Sequence, residues 1–213
     1  MFICLDGVDG AGKTTQARML FQRFQKQNQP AELVADPGTT QIGKAIRHIL
    51  LDTDAPITAA AQMLLFSAAR AELADYIRQR LAENITIICD RWLLSTLVYQ
   101  ADVNGVDEQL IFDIFRATAC QVPDIYVVLD VEPETAYSRV TARPHQDRYE
   151  RRCLEHFKTL RQHYTERAVN LGALLPDVQL FDMYFLRAEK SAESLHEDIY
   201  TLCQQHVFSR RSQ

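Results

Sequence analysis

The sequence predicts an α/β fold, a three-layer sandwich whose central sheet has five mostly parallel strands and helices on both faces. Five short apolar runs recur along the chain, and helical patterns separate them, which is typical of strands joined by crossover helices. The chain has 213 residues, enough to bury such a sheet in one domain. The predicted strands are Phe2 to Leu5, Ala31 to Ala35, Ile85 to Cys89, Ile125 to Asp130 and Val178 to Phe181.

The first predicted strand runs directly into a glycine-rich loop. Residues 7–14 read GVDGAGKT, a complete G-x-x-x-x-G-K-[ST] pattern, and a helical stretch from about Lys13 to Gln27 follows. Glycines let the backbone turn its N–H groups inward, and the helix N-terminus adds to this anion site. Lys13 would contact the β and γ oxygens of a nucleotide, and the Thr14 hydroxyl would ligate Mg²⁺. The predicted phosphate loop consists of Gly7, Val8, Asp9, Gly10, Ala11, Gly12, Lys13, Thr14 and Thr15.

The middle of the chain supplies helices between the second and fourth strands. A turn segment, Asp36 to Thr40, precedes a helix from about Gln41 to Leu51. A long helix from about Thr58 to Ala82 has one apolar side, and shorter helices span about Ser95 to Gln100 and Glu108 to Ala119. Because ligands of parallel sheets bind outside the carboxyl ends of the strands, we expect the site in the segments that follow each strand.

The last third of the chain carries a basic loop. Residues 143–149, RPHQDRY, interrupt two helical stretches and are predicted to form a lid that closes over a substrate. Residues 1–208 are expected to form a single domain, since no repeat or low-complexity segment divides them. Residues 209–213 are expected to be disordered.

Charge and cysteine usage limit the classes of partner. The formal net charge of -5 argues against a dedicated nucleic-acid surface, so small molecules are the expected partners. No apolar run approaches the roughly 18 residues needed to span a bilayer, and no basic leader precedes the first strand, so we expect a cytoplasmic protein without membrane contact. Five cysteines without metal-ligand spacing are expected to be buried free thiols. They are Cys4, Cys89, Cys120, Cys153 and Cys203.

Five segments together resemble the thymidylate kinases, the P-loop enzymes that move the γ-phosphate of ATP onto dTMP. Their order and spacing match over roughly Phe2 to Tyr164. The resemblance implies ATP as the phosphoryl donor, Mg²⁺ as the cofactor, dTMP as the acceptor and a homodimer. The matching segments are FICLDGVDGAGKTTQ (2–16), DPGTTQIGKAIRHILL (36–51), LLFSAARAELADYIRQRL (64–81), IICDRWLLSTLVYQ (87–100) and PDIYVVLDVEPETAYSRVTARPHQDRYE (123–150).

The resemblance implies roles for four charged residues beside the phosphate loop. Arg91 and Arg47 match arginines that bind the acceptor phosphate, and Asp90 would hold a Mg²⁺-bound water. Asp9 matches a carboxylate that contacts the sugar 3′-hydroxyl. Without the resemblance, Arg47 would be interpreted as a solvated helix arginine, and Asp90 with Arg91 as a surface ion pair.

Further residues match positions that contact the base and sugar. Phe66 and Arg70 are four apart on one helix, so they share a face. The resemblance implies that Phe66 stacks on thymine, that Arg70 donates to its O4, and that Tyr99 lies beneath the deoxyribose, where a 2′-hydroxyl would clash. By themselves Phe66 and Arg70 could equally be a core residue and a surface cation. The remaining predicted substrate contacts are Pro37, Thr96 and Gln100.

Two arginines of the predicted lid are expected to be catalytic. The phosphate loop has Gly10 and Ala11 where some thymidylate kinases have a basic residue, so a cation must reach the transferring phosphoryl group from elsewhere. Arg143 and Arg148 are the candidates, and an arginine in this role contributes about 10³ to 10⁵ in rate. Arg139 lies one helical turn before Arg143, and each of the three could instead be a mobile, solvated charge.

The sequence departs from the family pattern at several positions. Where the family often has Arg-Glu-Pro-Gly-Gly-Thr, this chain has Ala35 and Asp36 before the proline, and Thr39 after the first glycine. Trp92 replaces a tyrosine or histidine, and Pro144 replaces a glycine in the lid. These changes leave the acceptor base open.

Two alternative functions therefore remain. The same motifs would serve a kinase for another nucleoside monophosphate, whereas a nucleotide-dependent switch would need no acceptor arginines and no basic lid. Adenine contacts stay unassigned, because the segment from Pro176 to Arg187 matches the family only loosely, with Asp182 as its best match.

Overall fold

Five parallel strands form one sheet in the computed structural model, which describes residues 1–53, 55–174 and 181–211. The sheet order is β2-β3-β1-β4-β5, and each neighbouring pair is parallel. The predicted five-stranded α/β sheet is thus confirmed, and it is parallel throughout. The strands are β1 (Phe2–Asp6), β2 (Ala31–Ala35), β3 (Thr86–Asp90), β4 (Ile125–Asp130) and β5 (Asp182–Arg187).

The fifth strand lies after the position predicted for it. Of the predicted run Val178 to Phe181, residues 178–180 lie outside the described residues, and Phe181 precedes β5. β5 pairs only with β4, so it is an edge strand, and most of its residues are partly exposed. Residues 183–186 of β5, MYFL, also form a short apolar run, so the strand lies at the second of two neighbouring runs and the prediction chose the first.

Helices join the strands and cover both faces of the sheet. Side-chain caps begin several of them; for example, Thr40 Oγ1 accepts from Gly43 N at 2.9 Å and Thr58 Oγ1 accepts from Ala61 N at 3.3 Å. The last helix runs to Arg211, beyond the point where disorder was expected, and residues 212–213 lie outside the described residues. The helices are α1 (Lys13–Lys26), α2 (Gln41–Leu51), α3 (Ala59–Ala82), α4 (Leu93–Thr96), α5 (Glu108–Ala117), α6 (Pro133–Thr141), α7 (Leu154–Leu174) and α8 (Ala192–Arg211).

A π-helical segment, Leu97–Val103, continues α4 without a break. The sequence had suggested one helix over about Ser95 to Gln100, and the wider turn of the π-helix was not predicted. π-helical turns are frequent at functional sites. This one carries Tyr99 and Gln100, both of which line the cleft described below.

The core lies around the central strand β1, every residue of which is buried. Trp92 lies just after β3 and is fully buried. Its ring meets the ring of Phe2 edge-on, with 5.5 Å between the ring centroids, and its Nε1 donates to Gln121 O at 2.8 Å. All five cysteines are free thiols, as expected, but Cys153 is exposed and Cys120 is only half-buried. In the described part of the chain, no helix has both the length and the apolar character that crossing a membrane requires.

Candidate active site

The phosphate loop lies between β1 and α1 and is shaped by left-handed glycines. Gly10 and Gly12 have φ values of 83° and 96°. A Cβ at Gly10 would lie 2.5 Å from Ala136 O, so only glycine fits this close approach. Val8 and Ala11 are buried behind the loop and support it. The loop is therefore held as a concave turn at the carboxyl end of the central strand, as the motif predicts.

Lys13 lies at the start of α1, and its side chain folds back over the loop. It is 6% exposed, and its Nζ donates to Val8 O at 2.7 Å. Burial and the neighbouring Arg91 lower the pKa of Lys13 to about 8. An ammonium with a lowered pKa is stabilised by an anionic partner, which polyphosphate would supply.

Thr14 and Asp90 bring two oxygen donors together beside the loop. The Thr14 hydroxyl donates to Asp90 Oδ2, which joins α1 to the end of β3. A hydroxyl and a carboxylate are ligands that Mg²⁺ accepts, usually together with water and substrate phosphates. Within the described residues, no group of three or more His, Cys, Asp or Glu side chains is arranged to hold a metal by itself. The pair therefore fits a Mg²⁺ site that a nucleotide completes.

Arg91 and Asp9 face each other across the mouth of the loop. Arg91 Nη2 donates to Asp9 Oδ1, and Tyr99 OH donates to Asp9 Oδ2 at 2.8 Å. Burial alone would raise the pKa of Asp9, but Arg91 and Lys13 outweigh it and lower this pKa to about 2. Arg91 has a φ of 74°, a left-handed conformation that is uncommon for a non-glycine residue and that is frequent at functional sites.

A second arginine, Arg70, lies deep in the same cleft. Its Nε donates to Asp36 Oδ2 at 2.6 Å, and its Nη2 donates to Thr96 Oγ1. Both partners of the ion pair are buried, at 5% exposure for Arg70 and 4% for Asp36. Arg70 is thus not a surface cation. The carboxylate of Asp36, which stands where the family often has the longer glutamate, still reaches the Arg70 guanidinium.

Aromatic rings surround the space beside Arg70. The ring of Tyr149 lies 6.0 Å from that of Phe66 and 5.9 Å from that of Tyr99. Tyr149 OH donates to Gln62 Oε1 at 2.7 Å, which ties the ring to α3. Phe66 belongs to a small hydrophobic cluster on α2 and α3 but keeps a face toward the cleft. These rings give the cleft an aromatic, apolar side, a lining of the kind that suits a nucleobase.

These residues line one cleft with a cavity volume of about 350 Å³. Arg47 reaches it from α2 and donates to Pro37 O at 2.9 Å. The structure thus brings most of the predicted site residues to one place. The predicted residues that line the cleft are Asp9, Gly10, Gly12, Lys13, Thr14, Thr15, Pro37, Arg47, Phe66, Arg70, Asp90, Arg91, Thr96, Tyr99, Gln100 and Arg143.

The three arginines in and before the lid have different partners. We define the lid as residues 142–153, the non-helical segment between α6 and α7. Arg143 lines the cleft and pairs with Glu150 of the lid itself. Arg148 instead donates to the carbonyls of Thr53 and Ala55, in the connection between α2 and α3.

Arg139 lies on α6, ahead of the lid. Its Nη1 donates to Gly10 O at 3.1 Å, and its Nη2 donates to Ala188 O at 3.2 Å. It therefore fastens the phosphate loop to the segment after β5. In this structure, only Arg143 of the three is positioned in the cleft with a carboxylate partner that a ligand could replace.

Comparison with known proteins identifies the family. A family model described as thymidylate kinase matches residues 5–199. The chain is 38% identical to the thymidylate kinase of Pelodictyon phaeoclathratiforme over 194 residues, which cover 83% of this chain and 89% of that protein. It is 36% identical to the thymidylate kinase of Symbiobacterium thermophilum over 214 residues, which cover 99% of this chain and 95% of that protein.

The chain belongs to the thymidylate kinase family. This membership makes it an ATP-dependent nucleoside monophosphate kinase, with ATP as the phosphoryl donor, and it confirms the fold and family predicted from the sequence. Two departures from the thymidylate kinase pattern now have explanations. Trp92 is a core residue rather than part of the cleft, and Asp36 keeps an ion pair with Arg70.

Sequence reasoning missed several residues of this thymidylate kinase cleft. Tyr149 and Glu150 directly follow Arg148 within the lid, so their position was a usable signal. Ser95 and Tyr164 contact Arg91. Tyr164 lies on α7, far along the chain, and no local pattern singles it out. Asp182, the best match in the loosely similar segment, begins β5 at the end of the sheet opposite the cleft and contacts His206.

Proposed function

We propose that this protein transfers the γ-phosphoryl group of ATP to dTMP, which gives dTDP and ADP. One observation carries the proposal: the acceptor residues Asp9, Arg70, Arg91 and Tyr99 line the same cleft as the phosphate loop. A donor site and an acceptor site that share one cleft can hold two phosphates in line for transfer. The names of the relatives support dTMP as the acceptor.

The proposed mechanism depends on positioning and charge neutralisation. The acceptor phosphate has a second pKa near 6, so it is largely ionised at neutral pH and needs little help from a general base. Lys13 and the N–H groups of the loop bind the ATP phosphates, while Arg91 and Arg47 bind the acceptor phosphate. Thr14 and Asp90 would hold Mg²⁺, which neutralises charge on the phosphate oxygens when bound. Arg143 leaves its ion pair with Glu150 and contacts the transferring phosphoryl group.

Base and sugar selection follow from the other side of the cleft. Phe66 stacks on the thymine, and Arg70 donates to its O4. Asp9 contacts the 3′-hydroxyl, and Tyr99, which donates to Asp9, occupies the space that a 2′-hydroxyl would need. Comparable turnover of dTMP and its ribonucleotide analogue would rule out this role for Tyr99.

The deciding experiment is ADP release from purified protein with ATP and Mg²⁺, offered dTMP, dUMP, dCMP, dGMP and AMP separately. We expect a strong preference for dTMP. A preference for another base would favour the alternative of a kinase with a different acceptor. No ADP release with any acceptor, together with no heat of dTMP binding in calorimetry, would favour a nucleotide-dependent switch.

We also propose that residues 1–208 act as one kinase domain that forms a homodimer in the cytoplasm. Large apolar side chains on α2 and α3 support the dimer, because Ile42, Ile49 and Leu64 are exposed, Leu64 at 57%. Light scattering would test this, since a monomer at micromolar concentration would contradict it. Cell fractionation would test the cytoplasmic location. The small-molecule substrates support this location.

A further inference from the structure

Arg91 is held from behind by three neutral acceptors on three different elements. Its Nη1 donates to Gly7 O at 3.2 Å, to Ser95 Oγ at 3.0 Å and to Tyr164 OH at 3.0 Å. Its Nη2 faces Asp9 on the side of the cleft. One nitrogen of the guanidinium is therefore anchored, and the other is presented to the acceptor.

The direction of each hydrogen bond can be worked out from Asp6. This buried carboxylate accepts from Ser95 Oγ at 2.6 Å. Because the single hydroxyl hydrogen of Ser95 is used there, the 2.8 Å contact between Ser95 Oγ and Tyr164 OH must have Tyr164 as its donor. Tyr164 then has only lone pairs left for Arg91. The chain of hydrogen bonds from Tyr164 to Ser95 to Asp6 thus leaves the Tyr164 hydroxyl as an acceptor toward the Arg91 guanidinium.

A neutral acceptor suits this position better than a carboxylate would. Tyr164 is 2% exposed, and burial, together with Asp6, raises its pKa well above the usual value. The hydroxyl therefore stays neutral at physiological pH. It orients Arg91 without adding a further negative charge to those of Asp9, which pairs with Nη2, and Asp6, whose Oδ1 lies 4.0 Å from Nη1.

We infer that Tyr164 is a positioning residue, which orients Arg91 to bind the acceptor phosphate. Tyr164 lies on α7, the helix that directly follows the lid, so it links that helix to the acceptor site. The inference rests on the proposed function, because it requires a phosphorylated acceptor in this cleft.

The test compares two Tyr→Phe substitutions. Tyr164→Phe removes the hydroxyl and keeps the ring that packs 6.4 Å from Tyr99. Tyr126→Phe is the matched control, because Tyr126 is 1% exposed and its hydroxyl has no hydrogen-bond partner among the described residues. Calorimetry would measure dTMP affinity without ATP, and competition would measure the affinity for thymidine, which lacks the phosphate.

We expect Tyr164→Phe to weaken dTMP binding about tenfold and to leave the affinity for thymidine within about twofold, since the loss acts through a charged hydrogen bond to the phosphate. Tyr126→Phe should change neither affinity. Tyr164→Leu, which also lacks the hydroxyl but leaves Ser95 and its direct contact with Arg91 in place, is a second variant with the same expected pattern should Tyr164→Phe fold poorly.

Equal losses for dTMP and thymidine would mean that Tyr164 shapes the sugar pocket, and the inference would be wrong. No loss for either ligand would also overturn it. If the wild-type protein bound neither dTMP nor thymidine, the proposed function itself would fail, and the two failures are thereby distinguished.

Discussion

The acceptor side of the cleft and the lid both carry arginines, but they hold them in different ways. Arg70 and Arg91 are buried or nearly so, and each contacts several fixed partners on different elements. Arg143 has a side chain that is 45% exposed and pairs with Glu150 of the same loop. The acceptor side is thus preorganised, whereas the role proposed for Arg143 requires it to exchange partners during each turnover.

The largest expected effect tests the lid side of this comparison. Arg143→Ala should lower kcat about 10³-fold and change the KM for dTMP by less than about threefold, because its charge acts on the transferring group and not on the bound acceptor. Steady-state kinetics would measure both constants.

Arg148→Ala is the matched control within the same lid. Arg148 donates to backbone carbonyls outside the cleft, so its loss should weaken lid docking and lower kcat only about tenfold. A loss as large as that of Arg143→Ala would show that Arg148 also reaches the phosphates, as the sequence alone suggested.

The next effect tests the acceptor side. Arg91→Lys keeps the charge but loses the fork of donors that spans Asp9, Ser95 and Tyr164. The KM for dTMP should rise about 10-fold to 100-fold, with the KM for ATP unchanged. Arg161→Lys is the control, because Arg161 pairs with Asp130 and Glu132 outside the cleft. A rise in both KM values for Arg91→Lys would contradict a purely acceptor role.

A smaller effect follows from the pKa of Lys13, which is about 8 in the free protein. As pH rises through 8, Lys13 loses its proton and the ATP phosphates lose a cation. The kcat/KM for ATP should therefore fall toward tenfold per pH unit above 8, while kcat holds to higher pH because bound ATP stabilises the ammonium. Asp9, with a pKa of about 2, stays ionised throughout the neutral range. A flat kcat/KM up to pH 9.5 would contradict this account of Lys13.

The smallest expected effect on activity is that of replacing Trp92, a position at which the chain departs from the family pattern. Trp92→Phe should lower the free energy of unfolding by about 2 kcal/mol, because it leaves a small cavity and an unpaired Gln121 carbonyl. The KM for dTMP should stay within about twofold. Urea unfolding and kinetics would measure the two effects, and altered base preference would show that Trp92 does influence the acceptor site.

The same comparison explains what sequence could predict. The phosphate loop and Arg91 each directly follow a strand of the parallel sheet, so their convergence was predictable, whereas the place of Arg70 was implied only by the resemblance to the family. The partners of the lid arginines were not, because Arg148 contacts residues near position 53, far away in sequence. Tyr164 was missed for the same reason, since only tertiary packing brings α7 to Arg91. The strand β5 was misplaced because two apolar runs, 178–181 and 183–186, are close together in the sequence, and the pairing of β5 with β4 is not visible there.

The central place of β1 has a consequence for how the chain is made. β1 pairs with β3 and β4, through Phe2 with Ile87 and Ile3 with Ile125, and has no neighbour close in sequence. During synthesis this strand, apolar from Phe2 to Leu5, must therefore wait, unpaired, while much of the chain is still being added. Such late, long-range pairing slows folding and leaves an aggregation-prone segment exposed to other nascent chains. The strand that anchors the phosphate loop is thus also a segment that benefits from protection while the chain is being made.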